Sequence, residues 1–100
     1  MDISVQELKQ KLDAQENFVL IDVREPWENA EFNLGGQLIS IGDLGNHLED
    51  LLPHRHDEIV VYCRSGARSG LAKSILTAQG FSNVRNTLGG VLAWQEAFGK

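Results

Sequence analysis

Two short apolar runs narrow the folds open to this chain. Phe18-Val19-Leu20-Ile21 and Ile59-Val60-Val61-Tyr62 are nearly unbroken by polar residues. A strand with one wet face would alternate apolar and polar side chains instead. Each run therefore reads as a strand covered on both faces, the condition of a parallel sheet with helices over both sides. The stretches around them carry helical spacing. Ser4-Val5-Gln6-Glu7 has the form of a capping box, with Ser4 as N-cap and Glu7 reaching back. Val5, Leu8 and Leu12 then repeat at helical spacing, predicting a helix from about Val5 to Ala14.

The same reading continues along the chain. A strand is expected over Phe18 to Val23, then a short helix opened by Glu25-Pro26, with proline near its first position. Asn33 to Gly36 reads as a turn and Leu38-Ile39 as a short strand. Leu44, Leu48, Leu51 and Leu52 mark one face of a helix that Pro53 ends. After the polar connection His54-Arg55-His56-Asp57 come the strand Ile59–Tyr62, a loop Cys63–Arg68 and a helix Ser69–Gln79. Leu71, Ile75 and Ala78 are expected to share that helix's buried face. A strand within Phe81–Arg85, a turn at Gly89-Gly90 and a helix Val91–Phe98 complete the order. Strands alternating with helices predict an α/β domain, its small sheet mainly parallel, joined by right-handed crossovers and flanked by helices on both faces. With 100 residues, the chain is expected to form one domain, residues 1–100.

Charge and cysteine content exclude several functions. Residues 1–50 hold 3 Lys and Arg against 11 Asp and Glu, a balance of −8; residues 51–100 hold 6 against 3, a balance of +3. No basic run or basic helix is present, so no nucleic-acid partner is expected. The N-terminal segment is too charged for a signal-peptide core, and no apolar run approaches the ~20 residues that span a bilayer. A cytoplasmic protein without a membrane partner is the expectation. Cys63 is the only cysteine, which excludes an internal disulfide and a multi-thiolate zinc site. His47, His54 and His56 lack a convincing third ligand and read as solvated polar residues, so no metal is expected.

Cys63 lies at the carboxyl end of the second apolar run, where parallel sheets place their ligands. A thiol attacks as thiolate, and an unperturbed cysteine is mostly protonated at neutral pH. Three features of Cys63-Arg64-Ser65-Gly66-Ala67-Arg68 favour the thiolate. The helix beginning near Ser69 turns its positive end to the loop. Successive backbone N–H groups in a tight loop can form an anion-binding nest, with Gly66 supplying conformational freedom. Arg64 and Arg68 add positive charge. Against these stands the ordinary fate of a lone cysteine behind an apolar strand, which is to be a buried hydrophobe.

The segment Val60-Val61-Tyr62-Cys63-Arg64-Ser65-Gly66-Ala67-Arg68-Ser69 resembles the active-site loop of rhodanese-type sulfurtransferases. Leu20-Ile21-Asp22-Val23-Arg24-Glu25-Pro26-Trp27-Glu28 is similar to the family's first signature, and Asn33-Leu34-Gly35-Gly36-Gln37-Leu38-Ile39 to a variant of its second. Gly80-Phe81-Ser82-Asn83-Val84 and Leu88-Gly89-Gly90-Val91-Leu92-Ala93-Trp94 resemble its ending. The match runs in order over essentially the whole chain. Asn29 departs from it, standing where many relatives carry Tyr or Phe.

The resemblance implies a rhodanese-like fold and a covalent mechanism. Cys63 would take sulfane sulfur from thiosulfate or a related donor, become a persulfide, and pass the sulfur to cyanide, a thiol or a partner protein. Arg64, Ser65, Gly66, Ala67 and Arg68 would form the cradle, with Asp22 and Arg24 supporting it and no cofactor required. An alternative implied by the family is a sulfur-relay or docking module with little thiosulfate turnover. Related phosphatases have five residues between cysteine and arginine; four stand here, a smaller cradle that suits sulfur over a phosphoester. Glu25, Glu28 and Glu31 read as a solvated helix face, and Trp27 and Trp94 as packing residues.

Overall fold

A computed structural model describes residues 1–100. In chain order the elements are α1 (Val5–Asp13), β1 (Val19–Asp22), α2 (Pro26–Glu31), β2 (Gln37–Leu38), α3 (Leu48–Leu51), β3 (Ile59–Tyr62), α4 (Ala67–Ala78), β4 (Val84–Asn86) and α5 (Gly90–Phe98). The two apolar runs form the centre of the sheet. β1 and β3 pair in parallel, with Ile21 opposite Val61 and Asp22 opposite Tyr62. β2 and β4 add to their outer sides, giving the all-parallel order β2-β1-β3-β4. Ile3 bridges to Thr87 just beyond β4.

Both faces of this sheet are covered, as the unbroken apolar runs require. Ile21, Val23, Ile59, Val61 and Cys63 join Leu44, Leu51, Ala72 and Leu76 in one core cluster. Leu20, Val60 and Tyr62 join Ile3, Leu8 and Val91 in the other. Successive residues of a strand point to opposite faces. The alternation Ile59, Val61, Cys63 therefore delivers the thiol to the face packed by α4.

Several local expectations change. Ser4 Oγ accepts the Glu7 N–H at 3.1 Å, but the Glu7 carboxylate pairs with Arg85 at 2.9 Å, so only half of the capping box forms. Residues 41–54 are not one long helix. Two 3-10 segments, Ile41–His47 and Leu52–His54, flank the four-residue α3. Gly42, Gly45 and Pro53 are poor helix formers, and they divide the stretch. Helix α4 begins at Ala67, two residues earlier than its sequence suggests, and buries Ser69, Ala72 and Leu76. Leu71 is 56% exposed. Trp94 packs against the second cluster and meets Phe98 edge-on at 4.9 Å between ring centroids. Trp27, expected to pack, is 65% exposed. No helix is long and apolar enough to cross a membrane.

Candidate active site

The loop after β3 owes its shape to the start of α5. The first N–H groups of a helix have no partner within it. Here Val91 N–H donates to the Cys63 carbonyl at 2.9 Å, and Leu92 N–H to the Arg64 carbonyl at 3.0 Å. In a planar trans peptide the C=O and the following N–H point in opposite directions. Fixing the Arg64 carbonyl on α5 therefore turns the Ser65 N–H the other way, toward the thiol whose pKa it helps to lower. The approach needs a glycine at position 90. A Cβ there would lie 2.4 Å from the Cys63 carbonyl oxygen and 2.5 Å from that of Arg64, and its φ is +58°. Gly66, at φ +107°, closes the loop and caps α4. Its carbonyl is held by Asn86 Nδ2 at 3.1 Å.

Donors converge on the sulfur. Cys63 Sγ accepts from Gly66 N–H at 3.0 Å, Ser69 N–H at 3.4 Å and the Ser69 hydroxyl at 3.3 Å. Burial pushes the thiol pKa up. The Ser69 hydroxyl outweighs it together with the backbone N–H groups of Ser69, Gly66 and Ser65, and the thiol is held below its ordinary range. The sulfur also faces the amino end of the twelve-residue α4. Cys63 is 1% exposed, so its burial is real, but its surroundings are those of a stabilised thiolate rather than of an inert hydrophobe.

The other expected residues fall into different roles. Arg64 and Ser65 are exposed on the loop; Arg64 makes no ion pair, and Ser65 contributes its amide. Ala67 is exposed and opens α4. Arg68 is not a free cation. Its Nη1 and Nη2 donate to the two Glu28 oxygens at 2.6 and 2.9 Å. Glu28 in turn is no solvated residue: it is 7% exposed, and Arg68 draws its pKa down to about 2. Asp22 and Arg24 are buried together at the end of β1. Asp22 accepts from Arg24 Nε and Nη2, both at 2.9 Å, and from Asn29 Nδ2 at 3.0 Å, while Arg24 Nη2 donates to the Phe32 carbonyl at 2.6 Å. They anchor α2, and α2 carries Glu28. Asn29 is thus part of the support.

Glu28, Ser69, Asn86 and Gly90 escaped assignment from sequence. Ser69 lay inside the motif, but its contact with Cys63 depends on α4 starting at Ala67. Glu28 and Asn86 carry no local signal, because their partners Arg68 and Gly66 lie far along the chain. His54 Nδ1 lies 2.9 Å from Asp57, three residues on, and His56 Nδ1 lies 3.2 Å from Ser82 Oγ, far along the chain. A cavity of about 310 Å³ flanks the loop at Arg64, with Trp27, Glu31, Leu92 and Lys100 in its walls.

Known proteins are similar to this chain in sequence and fold. The family model described as the rhodanese-like domain matches residues 4–97. A sulfurtransferase of Allochromatium vinosum is 38% identical over 99 residues, covering 93% of this chain and 86% of the relative. The putative sulfurtransferase YtwF of Bacillus subtilis is 41% identical over 95 residues, covering 94% and 89%. A solved human single-domain sulfurtransferase superposes with a TM-score of 0.81 at 25% identity, over 95% of each chain.

Proposed function

The chain belongs to the rhodanese-like sulfurtransferases, and from that premise we propose that Cys63 carries sulfane sulfur as a persulfide, with thiosulfate or a related anion as donor. The observation that carries this reading is the convergence of two backbone amides and a hydroxyl on Cys63 Sγ. Such a cradle favours a thiolate before reaction and a terminal persulfide anion after it. The thiolate attacks the outer sulfur of thiosulfate. A sulfur–sulfur bond forms to Cys63, the bond to the sulfonate sulfur breaks, and its electron pair leaves with sulfite. Cyanide or a thiolate then attacks the terminal sulfur, and the electron pair of the breaking bond returns to Cys63 as thiolate. The charge is conserved in both steps, so no proton need be moved by a general base. Arg64, exposed and without an ion-pair partner, would meet the sulfonate end.

The test is thiocyanate release from thiosulfate and cyanide. The native protein is expected to turn over, and Cys63→Ser to lose all turnover. Retained turnover in that variant would remove Cys63 from the mechanism.

A second reading, exchange with a protein persulfide, is favoured by the cavity beside Arg64. At about 310 Å³, with Trp27 65% and Leu92 41% exposed at it, it offers an acceptor more contact than a small anion needs. Faster sulfur exchange with a persulfide-bearing protein than with thiosulfate would put this reading first; the reverse order would exclude it.

A further inference from the structure

Two buried carboxylates stand near the loop. Asp22 is answered by Arg24 at the end of its own strand. Glu28 is answered across the site by Arg68, the second residue of α4. Its carboxylate grips the guanidinium with both oxygens and also accepts the Glu25 N–H at 3.1 Å, so it is fixed to the start of α2. A bidentate carboxylate takes up a guanidinium's fork and cancels its charge locally. The charged groups of the elements that meet at the loop are then Arg64 on the loop, Asp22 and Arg24 at and just past the end of β1, and the Glu28–Arg68 pair; Asn86 from β4 is neutral. Arg68 responds to the Cys63 thiolate through space, although Glu28 dominates its surroundings.

Phosphate, sulfate or arsenate seated with its central atom over the sulfur would bring two charges among the loop amides and need a cation there, whereas thiosulfate presents its outer sulfur and keeps its sulfonate out toward Arg64. A singly charged persulfide can be held by the amides alone. We propose that Glu28 is a specificity-determining positioning residue, which by occupying Arg68 withholds the α4 cation from the amides around the sulfur and makes the cradle favour a persulfide over phosphate, sulfate or arsenate. The sulfur-carrier role comes from the function proposed above, but the charge arrangement can be tested without any sulfur transfer.

The experiment is a charge cycle in the full chain: native, Glu28→Gln, Arg68→Gln and the double variant. Inorganic phosphate binding is followed by titration, and the Cys63 titration by the pH profile of alkylation. Glu28→Gln is expected to tighten phosphate roughly tenfold or more, as expected for one uncovered charge at close range. It should also move the alkylation profile about one unit lower. Arg68→Gln should move the profile upward, because it leaves Glu28 unanswered beside the thiolate. The double variant should return both quantities close to native. Equal effects in Glu28→Gln and the double variant, or no effect in either, would overturn the proposal and leave the pair a mechanical clamp. If Glu28→Gln does not fold, the upward shift in Arg68→Gln and its reversal in the double variant still decide it. An intact cycle in protein that never turns over thiosulfate would refute the sulfur-transfer reading alone.

Discussion

Ser69 has one hydroxyl hydrogen and two acceptors for it. Cys63 Sγ lies 3.3 Å away and Asn86 Oδ1 2.5 Å. While Cys63 is a thiol, the hydrogen belongs with Asn86, and the thiol can donate to Ser69 Oγ. Once Cys63 is a thiolate, the charged sulfur becomes the stronger acceptor and the hydroxyl turns to it. Ser69→Ala should therefore raise the Cys63 pKa by roughly one unit, the scale of one charge-assisted hydrogen bond. Alkylation speeds up as pH rises through that pKa. The variant's profile should shift to higher pH, while its rate on the high-pH plateau stays near native; an unshifted profile would remove Ser69 from thiolate stabilisation. At this scale Cys63 stands out in the sequence because a strand end, a helix entrance, Arg64 and Arg68 meet at it and the family resemblance runs the length of the chain. Glu28 does not, because its spacing with Glu25 and Glu31 matches a wet helix face and its partner stands forty residues away.

Between elements, the amino end of α5 shapes the loop that closes on the amino end of α4. Gly90 is the point of contact, and no side chain fits between its Cα and the Cys63 and Arg64 carbonyls. Gly90→Ala should lower stability by about 1–3 kcal/mol through strain at positive φ and forced separation of the loop. It should also raise the Cys63 pKa, since the Ser65 N–H, freed with the Arg64 carbonyl from its α5 anchor, no longer aims at the sulfur. Urea unfolding and the alkylation profile measure the two effects. A loss of stability with an unchanged thiol would show that α5 supports the fold without shaping the cradle. The strands were readable from sequence because burial on both faces leaves unbroken apolar runs. The 41–54 segment was not, because its leucines kept helical spacing while Gly42, Gly45 and Pro53 broke the backbone that would have carried it. The face marked by Leu71, Ile75 and Ala78 is not the buried one: the start at Ala67 puts Ser69, Ala72 and Leu76 inside and leaves Leu71 and Ala78 exposed.

Across the whole molecule, the charge division between the halves becomes a set of long-range contacts. Asp2 meets Lys73, Glu7 meets Arg85 and Glu28 meets Arg68, each acid from the first fifty residues and each base from the last fifty. Much of the imbalance is thus consumed inside the fold. The first two pairs are partly exposed and contribute little each, on the order of 0–1 kcal/mol. What they do together is seat the N-terminal segment along β4, where Asp2 also accepts the Asn86 N–H at 3.1 Å. The support behind the site therefore reaches from residue 2 to α5, while the chemistry proposed for the molecule rests on one sulfur. Intact-mass measurement after thiosulfate treatment tests that most directly. The native protein should gain the mass of one sulfur atom and lose it on adding cyanide, and Cys63→Ser should gain nothing. No gain in the native protein, or the same gain in Cys63→Ser, would contradict it.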